Sequence, residues 1–296
     1  MTIPALLIGR GGSRGLPGKN TMRVLGRPLM AYPLMAARQC RYVDNIYISS
    51  DSSEIISIGE QYGAITIQRP PELCTIEALG EDAFRHGYKV ILDHLETQGE
   101  KIEFLVLLMA NAATITSDLI DKGIEMLRAD PNMDSAVTVS KYNMWSPIRA
   151  RKINDSGYLD PFIPFEAYSK PDKLSCDRDS QGDILFADMG VSIVRPHCLE
   201  NLDFGLLPQK WMGQKIGAIT SWGGCDVDYE WQIAGVEYWL QKHGFEAADD
   251  SDEDLITSYI PGVGIGHQVG NTPGHPIIRI GSPTSGNTIL PDNRPI

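Results

Sequence analysis

PALLIGRGGSRGLPGKN, residues 4–20, joins an apolar run of strand length to a loop of glycines and cations. Glycines stand at positions 9, 11, 12, 15 and 18, with Arg10, Arg14 and Lys19 interleaved. Glycine lets the backbone approach a ligand closely, and successive inward N–H groups form a nest for an anion. Composition alone would also suit a mobile surface turn. A position directly after a first strand favours the ligand-binding reading, because α/β sheets bind ligands outside the carboxyl ends of their strands. Two familiar phosphate patterns are not met. GxxxxGK[ST] fails at Ser13 and Asn20, and GxGxxG fails at Arg14.

Outward from this loop, apolar runs rich in β-branched residues recur at 45–50, 64–69, 103–110 and 135–140. Between them lie segments with helical spacing at 28–40, 52–63, within 77–98 and at 117–130. Near-continuous apolar strands alternating with helices imply a mostly parallel sheet covered on both faces. From about 141 to 182 the chain turns rich in Pro, aromatics and turn residues, which predicts a β-rich inserted arm or lid. Regular structure is expected again at 183–196, 215–222 and 229–244, with Gly244 as a helix stop. The chain thus divides into a domain over 1–245 and a tail over 246–296, acidic and then rich in Gly and Pro. Composition predicts that the tail is disordered or loosely docked, on its own domain or on a neighbouring subunit.

The net charge of −12 disfavours a nucleic-acid surface, so the cationic loop points to a small polyanion. Five cysteines without a CxxC pair argue against a disulfide framework or a structural zinc site. With no leader-like N-terminus and no membrane-length apolar run, a cytoplasmic protein is expected.

A second constellation is GGCDVDYEW, residues 223–231. In an extended segment Asp226 and Asp228 point the same way, so both carboxylates can share one hard cation such as Mg2+. Alternatively, Asp228 caps the following helix and Asp226 is solvated.

GRGGSRGLPGKN is similar to the N-terminal signature of the acylneuraminate (CMP-sialic acid) cytidylyltransferases, through Arg10, Ser13, Arg14, Gly15, Lys19 and Asn20. YISSDSSEI (47–55) and QRPPEL (68–73) resemble two further family blocks in order and spacing, and Asp226-x-Asp228 resembles the family's carboxylate pair. The resemblance implies a three-layer, Rossmann-like nucleotidyltransferase fold and a homodimer in which the arm crosses to the partner. It also implies that Gly11, Gly12, Ser13, Gly15, Asn20 and Arg69 surround CTP. Arg10, Arg14 and Lys19 would hold the phosphates and stabilise the leaving pyrophosphate, while Asp226 and Asp228 would bind Mg2+ near the α-phosphorus.

On the acceptor side, LMANAATI (108–115) departs from the family's Leu-Gln-Pro-Thr-Ser-Pro-Leu-Arg. Met109 stands for Gln and Ile115 for Arg, and only Asn111 keeps a polar group. An altered acceptor preference is expected, since an unpaired buried polar group costs about 1–3 kcal/mol. Arg178 and Gln181, in CDRDSQGD (176–183), are candidates for an acceptor carboxylate, because Arg donates two parallel bonds. The expected function is transfer of CMP from CTP to an acidic sugar, a nonulosonic acid or related keto-sugar, for a surface glycan. The alternatives are a cytidylyltransferase for a phosphonate or other small acid, and a non-catalytic nucleotide-binding subunit.

Overall fold

The computed structural model describes residues 1–12, 15–167 and 171–248, and the backbone of 267–272 and 275–280. In chain order the elements begin with β1 (Ala5–Ile8), a short ribbon of β2 (Arg23–Val24) and β3 (Arg27–Pro28), and α1 (Ala31–Gln39). Then follow β4 (Ile46–Ser50), α2 (Ser53–Gln61), β5 (Ile65–Gln68), α3 (Gly80–Glu96), β6 (Leu105–Met109), α4 (Ser117–Ala129) and β7 (Ser135–Lys141). A second ribbon, β8 (Arg151–Ile153) with β9 (Leu159–Pro161), precedes β10 (Leu185–Val194), α5 (His197–Glu200), β11 (Ile216–Ser221) and α6 (Ile233–Lys242). Finally β12 (His267–Thr272) and β13 (His275–Ile280) pair as an antiparallel hairpin. Residues 249–266, 273–274 and 281–296 of the tail, like Ser13 and Arg14, lie outside the described residues.

The main sheet has the order β11-β7-β10-β6-β1-β4-β5. Its pairings are parallel except those of β10, which runs antiparallel to both β6 and β7. Strands β1 and β4 are buried along their whole length, as expected where helices cover both faces. Side chains alternate between two cores. Leu7, Ile48, Val106, Leu108, Ala136, Ile193 and Ile219 face α1, α2, α4 and α6, while Leu6, Ile8, Tyr47, Leu105, Leu107 and Val137 face α3 and α5. Helix α3 owes its place to Ala83, Phe84, Gly87, Tyr88, Ile91 and Leu95, a stripe at helical spacing. This is the expected three-layer α/β architecture.

Two local features shape the functional edge. Ser52, two residues past β4, starts α2: its side chain accepts from the Ile55 N–H at 3.4 Å, capping the helix beside the glycine loop. Strand β10 is interrupted between Ala187 and Ser192, where Met189 adopts φ +62°, a left-handed conformation costly for a side chain with a Cβ. The chain makes an excursion from β7 to β10. It is built from the β8–β9 ribbon and short turns, and exposes Ile153, Tyr158, Leu159 and Phe162.

Candidate active site

The parallel strands place their carboxyl ends along one edge of the sheet, and the glycine loop leaves β1 there. Asn20, nearly buried, donates from Nδ2 to the Arg10 carbonyl at 3.1 Å and accepts from the Met30 N–H at 3.0 Å through its own carbonyl, closing the loop on itself. The Gly11 N–H donates to Asp51 Oδ1 at 3.0 Å, tying the loop to the end of β4. Gly18 has φ +70°, and a Cβ on Gly15 would sit 2.5 Å from the Asp228 carbonyl oxygen, so both positions require glycine for backbone reasons. A Cβ on Gly12 would meet no described atom within 4 Å.

Beside the loop opens a cleft of about 620 Å³ lined by Asp51, Gln68, Arg69, Pro70, Cys74 and Thr75, among others. Arg10 reaches its far wall, donating from Nη1 to the Thr75 carbonyl. Arg69 is only 5% exposed. Its Nε and Nη2 donate to Ser49 Oγ (3.2 Å) and the Ser49 carbonyl (2.6 Å), which fixes the guanidinium at the cleft. Burial pulls its pKa below the ordinary value.

The carboxylate pair meets the loop from the other side. Lys19 Nζ lies 2.5 Å from Asp228 Oδ1, across 209 positions of sequence. Val227 is fully buried between the two aspartates. The Val227 N–H donates to the Asn111 carbonyl at 2.9 Å, while Asn111 Nδ2 donates to the Val227 carbonyl (3.1 Å) and to Asp226 Oδ2 (3.5 Å). Asp228 does not cap the next helix with its carboxylate. Gln232 Oε1 instead accepts from the N–H groups of Asp228 (2.7 Å) and Tyr229 (2.8 Å). Burial first, and then the charge of Asp228, push the Asp226 pKa up. Two mutually repelling carboxylates, one of them poorly solvated, fit a hard divalent cation that completes its octahedron with water and phosphate oxygens. Among the described residues no third His, Cys, Asp or Glu joins them.

Asn111 is engaged with the acidic segment rather than turned toward open space. Ile115 and Ala113 are fully buried in the core, so the position where the family carries Arg presents no group to an acceptor. Gln181 is 8% exposed, and its Nε2 donates to the carbonyls of Asn143 and Arg178 at 2.9 Å, closing a turn of the arm. Arg178 is exposed, with Nε 3.7 Å from Asp179 Oδ2. Ser49, Thr75, Thr114, Ser140 and Asp188 also build the edge, though no spacing rule singles them out; Ser140 and Asp188 carried only the weak signal of polar groups within strand-like runs.

Residues 4–153 match the family model described as Cytidylyltransferase. This chain belongs to the cytidylyltransferase family. Within the family it is similar to the N-acylneuraminate cytidylyltransferase of Escherichia coli O18:K1:H7, 27% identical over 169 residues, covering 57% of this chain and 38% of that protein. It is 31% identical over 124 residues to a pseudaminic acid cytidylyltransferase of Campylobacter jejuni, covering 42% of this chain and 50% of that one. It is 44% identical over 64 residues to the CMP-N,N'-diacetyllegionaminic acid synthase of Legionella pneumophila, covering 22% and 28%. The match thus spans half or less of each of these relatives. The fold is also that of a CMP:2-keto-3-deoxy-manno-octonic acid synthetase solved with CTP, with a TM-score of 0.56 and 14% identity over 82% of this chain and 99% of that one.

For this cytidylyltransferase-family chain, the raised pKa of Asp226 has a consequence for stability. The folded state holds the Asp226 proton more tightly than the unfolded chain does. Stability from this group is therefore lost as pH rises from the ordinary value of 3.8 through the raised one. At neutral pH without metal, burial and the adjacent Asp228 outweigh the backbone hydrogen bond, Lys19 and Asn111 that favour the charge, so the Asp226 charge is destabilising. Asp226→Asn should therefore raise the metal-free unfolding temperature at pH 7, with the gain shrinking as pH is lowered toward 4. Thermal melts at several pH values check this, and a lower melting temperature for the variant at pH 7 would contradict it.

Proposed function

We propose that the chain transfers CMP from CTP to an acidic sugar, a nonulosonic acid or related keto-sugar, with Mg2+. The observation that carries this reading is the Lys19–Asp228 contact, which joins a cationic glycine loop to a carboxylate pair at one sheet edge. The names of the relatives, for neuraminic, pseudaminic and legionaminic acids, support the acceptor class.

In this reading an acceptor hydroxyl oxygen bonds to the α-phosphorus, the bond to the β-phosphate oxygen breaks, and pyrophosphate leaves. The hydroxyl proton passes to solvent. Such a step depends on positioning and charge neutralisation more than on a reactive side chain. Arg10, Arg14 and Lys19 offset the phosphate charge, inward N–H groups of the loop orient the oxygens, and Arg69 holds the nucleotide in the cleft. Mg2+ bound by Asp226 and Asp228 would supply Lewis-acid stabilisation of the developing charge. The exposed apolar side chains of the arm support a homodimer formed through that arm.

The test is thermal unfolding with CTP, UTP, ATP and GTP, each with and without Mg2+, followed by pyrophosphate release with an acceptor panel. A ligand at 100 times its Kd stabilises by about 2.7 kcal/mol, several degrees for a domain of this size. CTP should stabilise most, and more with Mg2+. A CMP conjugate with a phosphonate and none with any keto-sugar would move the acceptor class, and no response to any nucleotide would overturn the reading.

A further inference from the structure

The segment carrying Asp226 and Asp228 follows β11 but has left the sheet, so no strand ladder fixes it. Side chains from two other strands or the loops after them, β7 and β6, hold its backbone instead. The Gly224 N–H donates to Ser140 Oγ at 3.0 Å, and the Gly224 carbonyl accepts from the Tyr142 hydroxyl at 2.8 Å. The Cys225 N–H donates to Thr114 Oγ1 at 3.0 Å, and the same hydroxyl donates to the Cys225 carbonyl at 3.3 Å. Asn111 then brackets Val227 as described. One polar contact after another is supplied to residues that would otherwise bury unpaired backbone groups, a cost of about 1–3 kcal/mol each.

The first of these rungs depends on a buried acceptor. Asp188 is 4% exposed and sits in the interruption of β10. Its Oδ2 accepts from Ser140 Oγ at 2.6 Å, and its Oδ1 accepts from the Gly190 N–H at 3.2 Å. A serine hydroxyl has one proton. Donating it to Asp188 leaves the Ser140 oxygen to accept from Gly224, so the carboxylate fixes the direction of the bond. The fit is close: a Cβ on Gly224 would lie 2.3 Å from Asp188 Oδ2. The left-handed Met189 next to Asp188 is the local distortion that accompanies this placement.

We propose that Asp188 is a positioning residue that, through Ser140 and the Gly224 backbone, sets where the Asp226–Asp228 pair stands. The nucleotide side of this statement rests on the function proposed above; the positioning of the segment does not. Asp188 and Ser140 touch no reacting atom in this scheme. Partners of this outer kind change metal affinity by about 10–100-fold when removed.

The experiment compares the intact protein with Ser140→Ala, Asp188→Ala and Asp188→Asn, the last of which can still accept from Ser140 and serves as the rescue. Hydrogen exchange is read at the amides of 224–227 without any ligand, and Mn2+ binding in the presence of CTP is followed by electron paramagnetic resonance. Ser140→Ala and Asp188→Ala should speed exchange at 224–227 while the amides of β1 and β6 stay protected. The same two variants should weaken Mn2+ binding about tenfold or more, with metal-free CTP binding unchanged, and Asp188→Asn should stay within about threefold of the parent. Unchanged exchange at 224–227 in both alanine variants would overturn the inference, as would an equal loss of metal-free CTP binding. If the parent protein bound neither CTP nor Mn2+, the proposed function would fail, and the exchange arm would still decide whether Asp188 positions the segment. If Asp188→Ala does not fold, Ser140→Ala, which removes only one oxygen, carries the test.

Discussion

Asp228→Asn should lower turnover with CTP by about 10³-fold or more while leaving the fold intact. Loss of one carboxylate from a cation site removes several kcal/mol of charge stabilisation, at about 1.36 kcal/mol per tenfold in rate. Asparagine has nearly the same shape, so the packing is kept while the charge that Lys19 meets is removed. The Asp228 side chain is 55% exposed, its N–H is satisfied by Gln232, and the preceding residue is bracketed by Asn111. Pyrophosphate release at saturating CTP, with circular dichroism as the control for folding, measures the effect. A variant within tenfold of the parent would remove the carboxylate pair from the reaction. A variant that loses turnover but keeps CTP binding also separates the enzyme from the non-catalytic nucleotide binder that a glycine loop alone would allow.

Lys19→Met should lower kcat/KM by about 10²–10³-fold, the range typical of losing one group that stabilises developing negative charge. The side chain of Lys19 is 13% exposed, and its ammonium lies against Asp228 rather than in bulk water. Methionine keeps the length and apolar stem of lysine, so packing changes little. Two roles are open to this ammonium, and they predict opposite signs in one measurement. As a phosphate ligand it strengthens CTP binding, so the variant should bind metal-free CTP about 10–100-fold more weakly. As the partner of Asp228 it competes with a cation for the same oxygen, so the variant should bind Mn2+ more tightly when nucleotide is absent. If CTP affinity is unchanged, the loop does not hold the phosphates through Lys19.

Much of the architecture was legible before any coordinates, and for a definite reason. Parallel strands buried on both faces must be apolar throughout, so 4–9, 45–50, 64–69, 103–110 and 135–140 each mark a strand that the structure contains. Strand direction was not legible. The run at 183–196 is as apolar as the others, yet β10 runs against its neighbours, because an apolar run carries no sign of polarity. In the site, the loop and the carboxylate pair could each be found from local spacing, but their meeting through Lys19 and Asp228 spans 209 positions and came only with resemblance. The rungs from Thr114 and Ser140 reach across 111 and 84 positions, and single polar residues in strands leave no pattern that announces such reach. The Gln181 amide donates to the carbonyls of Asn143 and Arg178, bonds that a charged loop does not announce in the sequence.

The reversed direction of β10 means that the chain leaves β7 and enters β10 at the same edge of the sheet, the one that carries the glycine loop. Residues 142–184 are thus an excursion with both anchors on one pair of neighbouring strands, and the hydrogen-bonded core below does not register how long that excursion is. The design is modular: a graft of this stretch from another family member could exchange the excursion without altering the sheet, and lineages could diversify there by insertion and deletion at little cost to folding.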